Sequence, residues 1–75
     1  MKFNILLNSA EDALVLVDKV SKYDCDVELI SGCHHVDAKS VMGVMGLGVK
    51  KELMLVVHDE PNDKIRHDLQ KFMAE

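Results

Sequence analysis

The stretch that decides the fold reads Asp37-Ala38-Lys39-Ser40-Val41-Met42-Gly43-Val44-Met45-Gly46-Leu47-Gly48. Ser40 is placed to cap a short helix from about Val41 to Gly46, and Gly46 or Gly48 supplies a left-handed residue to end it. The apolar residues of this helix are mostly Met and Val, and a turn and a half of helix cannot bury all of them. We therefore expect part of the segment to stay exposed as an adaptable contact surface, a use to which methionine is well suited.

The remaining chain alternates short strand and helix patterns. Ser9 with Asp12 three residues later resembles a capping box at the start of the first helix. Three amphipathic helices with few other apolar faces predict an α+β fold of order βαββαβα, in which the helices cover one face of a four-stranded antiparallel sheet. The predicted elements are strands 2–7, 26–31, 34–38 and 53–58, and helices 9–23, 41–46 and one opened by residues 59–62. Residues 1–75 are expected to form a single domain.

Helical spacing selects the residues that should pack on the sheet. In the first helix these are Ala13, Leu16, Val17 and Val20, and in the last they are Ile65, Leu69, Phe72 and Met73. Leu14 and Val15 widen the stripe of the first helix beyond what one helix needs. They either pack under a loop or lie exposed beside the helix start.

Composition restricts the function. The chain has 75 residues and a net charge of −4, so it lacks the basic stripe that nucleic-acid binding needs. No apolar run approaches the ~20 residues of a membrane helix, and no signal-peptide pattern opens the sequence. The two cysteines, Cys25 and Cys33, lack CxxC spacing and are read as reduced thiols. These features predict a cytoplasmic protein with protein partners, without nucleic acid or membrane insertion.

Two segments resemble HPr, the small phosphocarrier of the bacterial sugar phosphotransferase system. Residues 39–48 resemble the regulatory-serine segment of that family, which reads Lys-Ser-Ile-Met-Gly-Val-Met-Ser-Leu-Gly. Residues 21–27, Ser-Lys-Tyr-Asp-Cys-Asp-Val, resemble the exit from the first HPr helix into its second strand. Because order and spacing also agree, the resemblance covers essentially the whole chain and implies the open-faced β-sandwich of HPr.

The resemblance places Ser9 where the family carries its phosphohistidine. Ala10 matches the family, whereas Glu11 and Asp12 replace its Arg and Pro. A serine would need an added general base, and the loss of Arg removes a fork of phosphate donors. Each new carboxylate repels a phosphate by roughly 4 kcal/mol at ~4 Å, while a helix N-terminus returns only about 0.3–1 kcal/mol. We therefore expect no working histidine phosphocarrier, no catalytic residue and no enzymatic turnover.

Ser40 retains the family's regulatory position. The resemblance implies phosphorylation by HPr kinase/phosphorylase, and a chain with the serine but without the histidine is similar in role to the Crh-type members of the family. That implies a regulatory adaptor for catabolite repression, which contacts a transcriptional regulator or a metabolic enzyme. The expected contact residues are Ser9, Ala10, Leu14, Val41, Met42, Val44, Met45, Gly46 and Leu47. On the residues alone, the simpler interpretation of Ser40 is a helix cap, because serine is common at that position.

Two alternatives stay open: a phosphocarrier with a non-standard acceptor, and a small-ligand or metal-binding module on the same fold. For the second, Cys33, His35 and Asp37 would share one face of a strand. No fourth ligand follows at a recognised spacing, so we expect an exposed turn there, with no metal and no cofactor. His58 and His67 are expected at the surface.

Overall fold

The computed structural model describes residues 1–58 and 63–73 and shows one antiparallel sheet with helices on one face. The strands are β1 (Lys2–Leu6), β2 (Asp26–Ser31), β3 (His34–Asp37) and β4 (Glu52–His58). The helices are α1 (Ala10–Val20), α2 (Val41–Leu47) and α3 (Asp63–Asp68), followed by a 3₁₀ turn over Gln70–Phe72. The predicted α+β fold and its βαββαβα order are confirmed. The predicted start of the last helix, residues 59–62, lies outside the described residues.

The spatial strand order is β1-β4-β2-β3, so β4 is an inner strand with a neighbour on each side. In its register, Phe3 pairs with Leu55, and Leu55 pairs with Leu29. Because side chains alternate along a strand, these positions share the face that the helices cover. The buried residues of that face are Phe3, Ile5, Val27, Leu29, Leu53, Leu55 and Val57.

The helices complete the core much as helical spacing predicts. Full burial of a side chain such as Leu16 stabilises the fold by about 1.5–3 kcal/mol. Met73 is only half-buried and forms an isolated bridge with Ile5 of β1. The predicted core residues that are buried are Ala13, Leu16, Val17, Val20, Ile65, Leu69 and Phe72.

The first helix is shorter than predicted, because it ends at Val20 rather than near Tyr23. The Tyr23 N–H donates to the Val20 carbonyl over 3.1 Å, a tighter turn than the helix. The Tyr23 hydroxyl donates to Asp68 of α3, and the Tyr23 carbonyl accepts a 2.6 Å hydrogen bond from Lys39 Nζ. These long-range bonds hold Tyr23 outside the helix, and they could not be predicted from local spacing.

Candidate functional site

Ser40 caps α2, as predicted. Its backbone is extended, and its hydroxyl accepts a 3.3 Å hydrogen bond from the Gly43 N–H. The helix extends one residue further than expected, to Leu47, and Gly48 then ends it with φ of 91°. Ser40 itself is exposed, so its hydroxyl can be reached from solvent.

Gly43 lets α2 approach β3 closely. A Cβ at this position would lie 3.2 Å from Val36 Cβ, tighter than an ordinary van der Waals contact. At Gly46 a Cβ would meet no atom within 4 Å, because that position faces outward. Of the two glycines, only Gly43 is required by packing, because it sets the distance between α2 and β3.

The helix divides its apolar residues between two sides. Met42 is 86 % exposed, and Val41 and Met45 are exposed as well. Val44 and Leu47 are buried in the core, so the prediction that they contact a partner is wrong for this folded state. The reason is the helical repeat, which places these two residues three apart on the side that faces the sheet.

The start of α1 is occupied by its own capping bonds. The Ser9 hydroxyl accepts from the Asp12 N–H at 3.3 Å, and Asp12 Oδ2 accepts from the Asn8 N–H at 3.0 Å. The carboxylates of Glu11 and Asp12 lie in the same turn.

Ser9, Ala10 and Leu14 are exposed, as a contact surface requires. The two apolar residues that widen the stripe of α1 differ in burial. Leu14 is 47 % exposed, whereas Val15 packs against the core. Helices α1 and α2 are in contact. The Lys50 N–H, just after α2, donates to the Leu7 carbonyl, just before α1, over 2.6 Å. The structure therefore joins the end of α2 to the start of α1.

A family model for the HPr component phosphorylation site of the phosphotransferase system matches residues 9–75. The chain belongs to the HPr family of the phosphotransferase system. The family match begins at Ser9, the position for which the sequence resemblance implies the phosphohistidine.

Solved structures share the fold of this HPr-family chain. HPr-C-His from Thermoanaerobacter tengcongensis is 24% identical with a TM-score of 0.74, covering 95% of this chain and 85% of its own. The histidine-containing phosphocarrier protein of a Mycoplasma is 20% identical with a TM-score of 0.76, covering 95% and 89%. Phosphocarrier protein HPr from Bacillus anthracis is 17% identical with a TM-score of 0.76, covering 99% and 96%. At these identities the likeness concerns the fold.

The histidines of this HPr-family chain form an arrangement that sequence reasoning missed. Glu28 of β2 bonds to His35 Nδ1 of β3 at 3.0 Å and to His58 Nε2 of β4 at 3.4 Å. These bonds, that of His35 foremost, lower the pKa of the Glu28 carboxyl below its ordinary value. From the sequence, alternation shows only which face of its own strand each of these residues occupies. That the three meet depends on the strand order, which the sequence pattern does not give.

The suspected metal ligands Cys33, His35 and Asp37 are exposed. Within residues 1–58 and 63–73, no group of three such side chains is arranged to hold a metal ion. Cys25 and Cys33 are both free thiols. In the same part of the chain, no helix is long and apolar enough to cross a membrane.

Proposed function

We propose that this HPr-family protein is a regulatory adaptor that binds other proteins, switched by phosphorylation at Ser40, and that it does not carry phosphate at position 9. Its partners would be a cytoplasmic transcriptional regulator or metabolic enzyme and HPr kinase/phosphorylase. The surface assigned to these partners, the α1–α2 surface, consists of Ser9, Ala10, Leu14, Val41, Met42, Met45 and Gly46.

One observation carries the proposal: the exposed apolar side chains are concentrated on two helices that touch. Five large hydrophobic residues are exposed in the described part of the chain, and four belong to the α1–α2 surface, namely Leu14, Val41, Met42 and Met45. Two of these are methionines, whose flexible thioethers adapt to different partners. Exposed apolar patches rimmed by polar groups are typical of protein contact sites.

The start of α1 argues against phosphate carriage. Ser9 offers a hydroxyl whose lone pair accepts from Asp12, and no imidazole is present at that position. The Asp12 carboxylate accepts a hydrogen bond from the Asn8 N–H, which holds it beside Ser9 in the first turn. A phosphoryl group on Ser9 would therefore face this carboxylate, and the repulsion would exceed the helix-dipole gain of about 0.3–1 kcal/mol.

Ser40 offers the opposite environment. It is exposed, and the first turn of α2 has no acidic residue. A phosphate there would add roughly −1.5 to −2 charge beside Val41 and Met42, with no carboxylate of the first turn to repel it. The modification would change the character of the contact surface and leave the core intact.

The deciding experiment is intact-mass measurement after two separate incubations, one with HPr kinase/phosphorylase and ATP, the other with enzyme I and phosphoenolpyruvate. We expect one phosphate in the first incubation, absent in Ser40→Ala, and none in the second. An acid-labile phosphate in the second incubation would overturn the proposal in favour of a carrier with a non-standard acceptor. No phosphate in the first would remove the switch.

Two methionines with equal exposure provide a matched control for the contact surface. Met45 of α2 and Met54 of β4 are each 38% exposed, but only Met45 belongs to the α1–α2 surface. We expect Met45→Glu to slow the phosphorylation of Ser40 by the kinase at least about tenfold, since a buried contact at an interface centre is worth more than 1 kcal/mol. Met54→Glu should leave the rate unchanged. Equal rates for both variants would contradict the assigned surface.

A further inference from the structure

The sheet carries an apolar strip on the face opposite the helices. Residues 53–57 of β4 are apolar without interruption, and alternation sends two of them, Met54 and Val56, away from the core. Ile30 of β2 pairs with Met54 on this outer face, and Leu6 of β1 lies diagonally beside it. Met54 is 38% exposed, and the other three are half-buried. A strand with apolar residues on both sides is typical of a sheet that is covered on both faces.

Carboxylates border this strip at both of its ends. The acidic residues on the outer side of the described strands are Asp26, Glu28, Asp37 and Glu52. Strand register puts the first three beyond or beside Val56, and it puts Glu52 two residues before Met54. The described outer face of the sheet is therefore acidic.

The only lysine or arginine on the outer side of the described strands is Lys2, in the edge strand β1. Lys2 lies in one row across the sheet with Val56, Glu28 and Asp37. Because Asp37 belongs to the opposite edge strand, three strand spacings or about 14 Å separate the two charges. That distance exceeds the screening length of ~8 Å at physiological salt, so Lys2 leaves the carboxylates of β2 and β3 largely unbalanced.

We propose that this outer face binds a partner protein through a cationic amphipathic helix of that partner. The apolar stripe of the helix packs on Met54 and its apolar neighbours, and its lysine or arginine side chains meet the carboxylates at the two ends of the strip. Charge complementarity identifies this occupant, because an acidic face attracts a cationic surface and repels a second copy of itself. The same carboxylates repel the phosphates of a nucleic acid.

The dimensions of the face suit such a helix. Residues along a strand rise by about 3.3 Å, so Glu52 stands roughly 20 Å from the row that pairs His58 with Asp26. A helix of about 14 residues spans this distance, at about 1.5 Å per residue. Its apolar positions, three and four residues apart, then lie over Met54 and Val56, and cationic positions lie near both of its ends.

The four carboxylates differ in the partners they already have. Glu28 accepts hydrogen bonds from ring nitrogens of His35 at 3.0 Å and His58 at 3.4 Å, which satisfy it within the chain. Asp37 Oδ1 accepts from the Lys39 N–H at 2.9 Å, and its other oxygen is left for a cation. The exposed carboxylates assigned to the cations of the partner are Asp26, Asp37 and Glu52.

The size of the face limits the affinity. Four strands about 4.8 Å apart and roughly 20 Å long present a flat area of ~400 Å². Contacts that bury less than about 1,200 Å² in total are weak and transient. We therefore expect a dissociation constant between about 10 µM and 1 mM, which rises with salt because exposed charge pairs are screened.

Titration of the isotope-labelled protein with a synthetic helix, followed by NMR, tests the proposal. The probe is an amphipathic peptide of about 14 residues, with leucines along one side and lysines along the other. A control peptide carries glutamate in place of each lysine. We expect the lysine peptide, at up to about 1 mM, to shift amide signals of β2 and β4, and the glutamate peptide to shift none. No binding of the lysine peptide, equal binding of both peptides, or shifts confined to the α1–α2 surface would overturn the proposal.

Two equally exposed methionines locate the apolar part of the contact. Met54→Gln should weaken binding of the lysine peptide about tenfold, because it removes the centre of the strip. Met45→Gln, on α2 and 38% exposed like Met54 in the wild type, should leave binding unchanged. Equal losses in the two variants would refute the assignment to the sheet. Amide shifts of β2 and β4 that grow with protein concentration, without peptide, would identify a second copy as the occupant and overturn the proposal as well.

A second pair of variants separates local charge from net charge. The outer-face variant carries Asp26→Asn, Asp37→Asn and Glu52→Gln, and the asparagine at 37 keeps an oxygen for the Lys39 N–H. The helix variant removes the same charge from exposed positions of α1 and α3 through Glu11→Gln, Asp18→Asn and Asp63→Asn. With both folded by circular dichroism, the outer-face variant should bind the lysine peptide about tenfold more weakly at low salt, and the helix variant as the wild type does. An equal loss in both would show attraction by net charge alone and would refute the site.

Discussion

Alanine should stabilise the protein at one of the two glycines inside α2, Gly46, and should not do so at the other, Gly43. Both replacements lower the entropy of the unfolded chain and favour helix, by about 0.8–1 kcal/mol at an interior position. At Gly46 nothing lies within 4 Å of the added methyl group, so only this gain applies. We expect Gly46→Ala to stabilise the protein by about 0.5–1 kcal/mol.

At Gly43 the same methyl group would lie 3.2 Å from Val36 Cβ and 3.4 Å from Ser40 Oγ. The added Cβ and Val36 Cβ are both attached directly to backbone, so neither can rotate away from the other. Helix α2 would therefore have to move away from β3 by a few tenths of an ångström. Overpacking of this kind costs about 1–3 kcal/mol and exceeds the helical gain. We expect Gly43→Ala to be neutral to about 2 kcal/mol destabilising, about 1–3 kcal/mol below Gly46→Ala.

Urea unfolding followed by circular dichroism measures this difference directly, with the slope m serving as the check on two-state behaviour. Thermal midpoints should differ by about 4–8 °C for each kcal/mol in a domain of this size. If Gly43→Ala stabilised the protein as much as Gly46→Ala, the close approach of α2 to β3 would be wrong. The position assigned to Ser40 and the neighbouring methionines would be wrong with it.

Two pH-dependent predictions follow from the hydrogen-bonded side chains. Burial, with the bond to Asp68, raises the pKa of Tyr23 from 10.0 to about 12, so its stabilisation is complete below pH 10 and is lost as pH rises to 12. Tyr23→Phe should flatten the fall in unfolding free energy over that interval, and an unchanged slope would refute the contact. The pKa of Glu28 is lowered, so its stabilisation is present above 4.5 and is lost as pH falls through the folded-state pKa. In an NMR titration of the Glu28 carboxyl, His35→Val should raise the pKa toward 4.5, whereas an unchanged value would exclude His35 as the main cause.

The order of strands and helices was predicted from patterns that involve only residues close together in the sequence. The caps at Ser9 and Ser40 involve residues three positions apart, so the local chain contains all the required information. The buried stripe of α1 likewise follows from the helical repeat. Element ends were less certain, since Tyr23 is held outside α1 by bonds to Asp68 and Lys39, far away in sequence.

The sequence predicted which segment keeps apolar side chains exposed, but not how many of them. Residues 41–47 were expected to exceed what a short helix can bury, and three of them do remain exposed: Val41, Met42 and Met45. The sequence could not exclude Val44 and Leu47, because the side of a helix that faces the core depends on how it docks. The docking distance depends in turn on the contact of Gly43 with Val36.

By itself, the sequence determined the order of strands and helices, the caps, and the membership suggested by residues 21–27 and 39–48, because each depends on neighbouring residues. Only the tertiary structure decided which apolar residues stay exposed and which charged groups meet. Glu28, His35 and His58 lie on three strands, and Lys2 and Asp37 come into one row only through the order β1-β4-β2-β3. Such pairings need strand order and register, and these are set by the packing of the whole sheet.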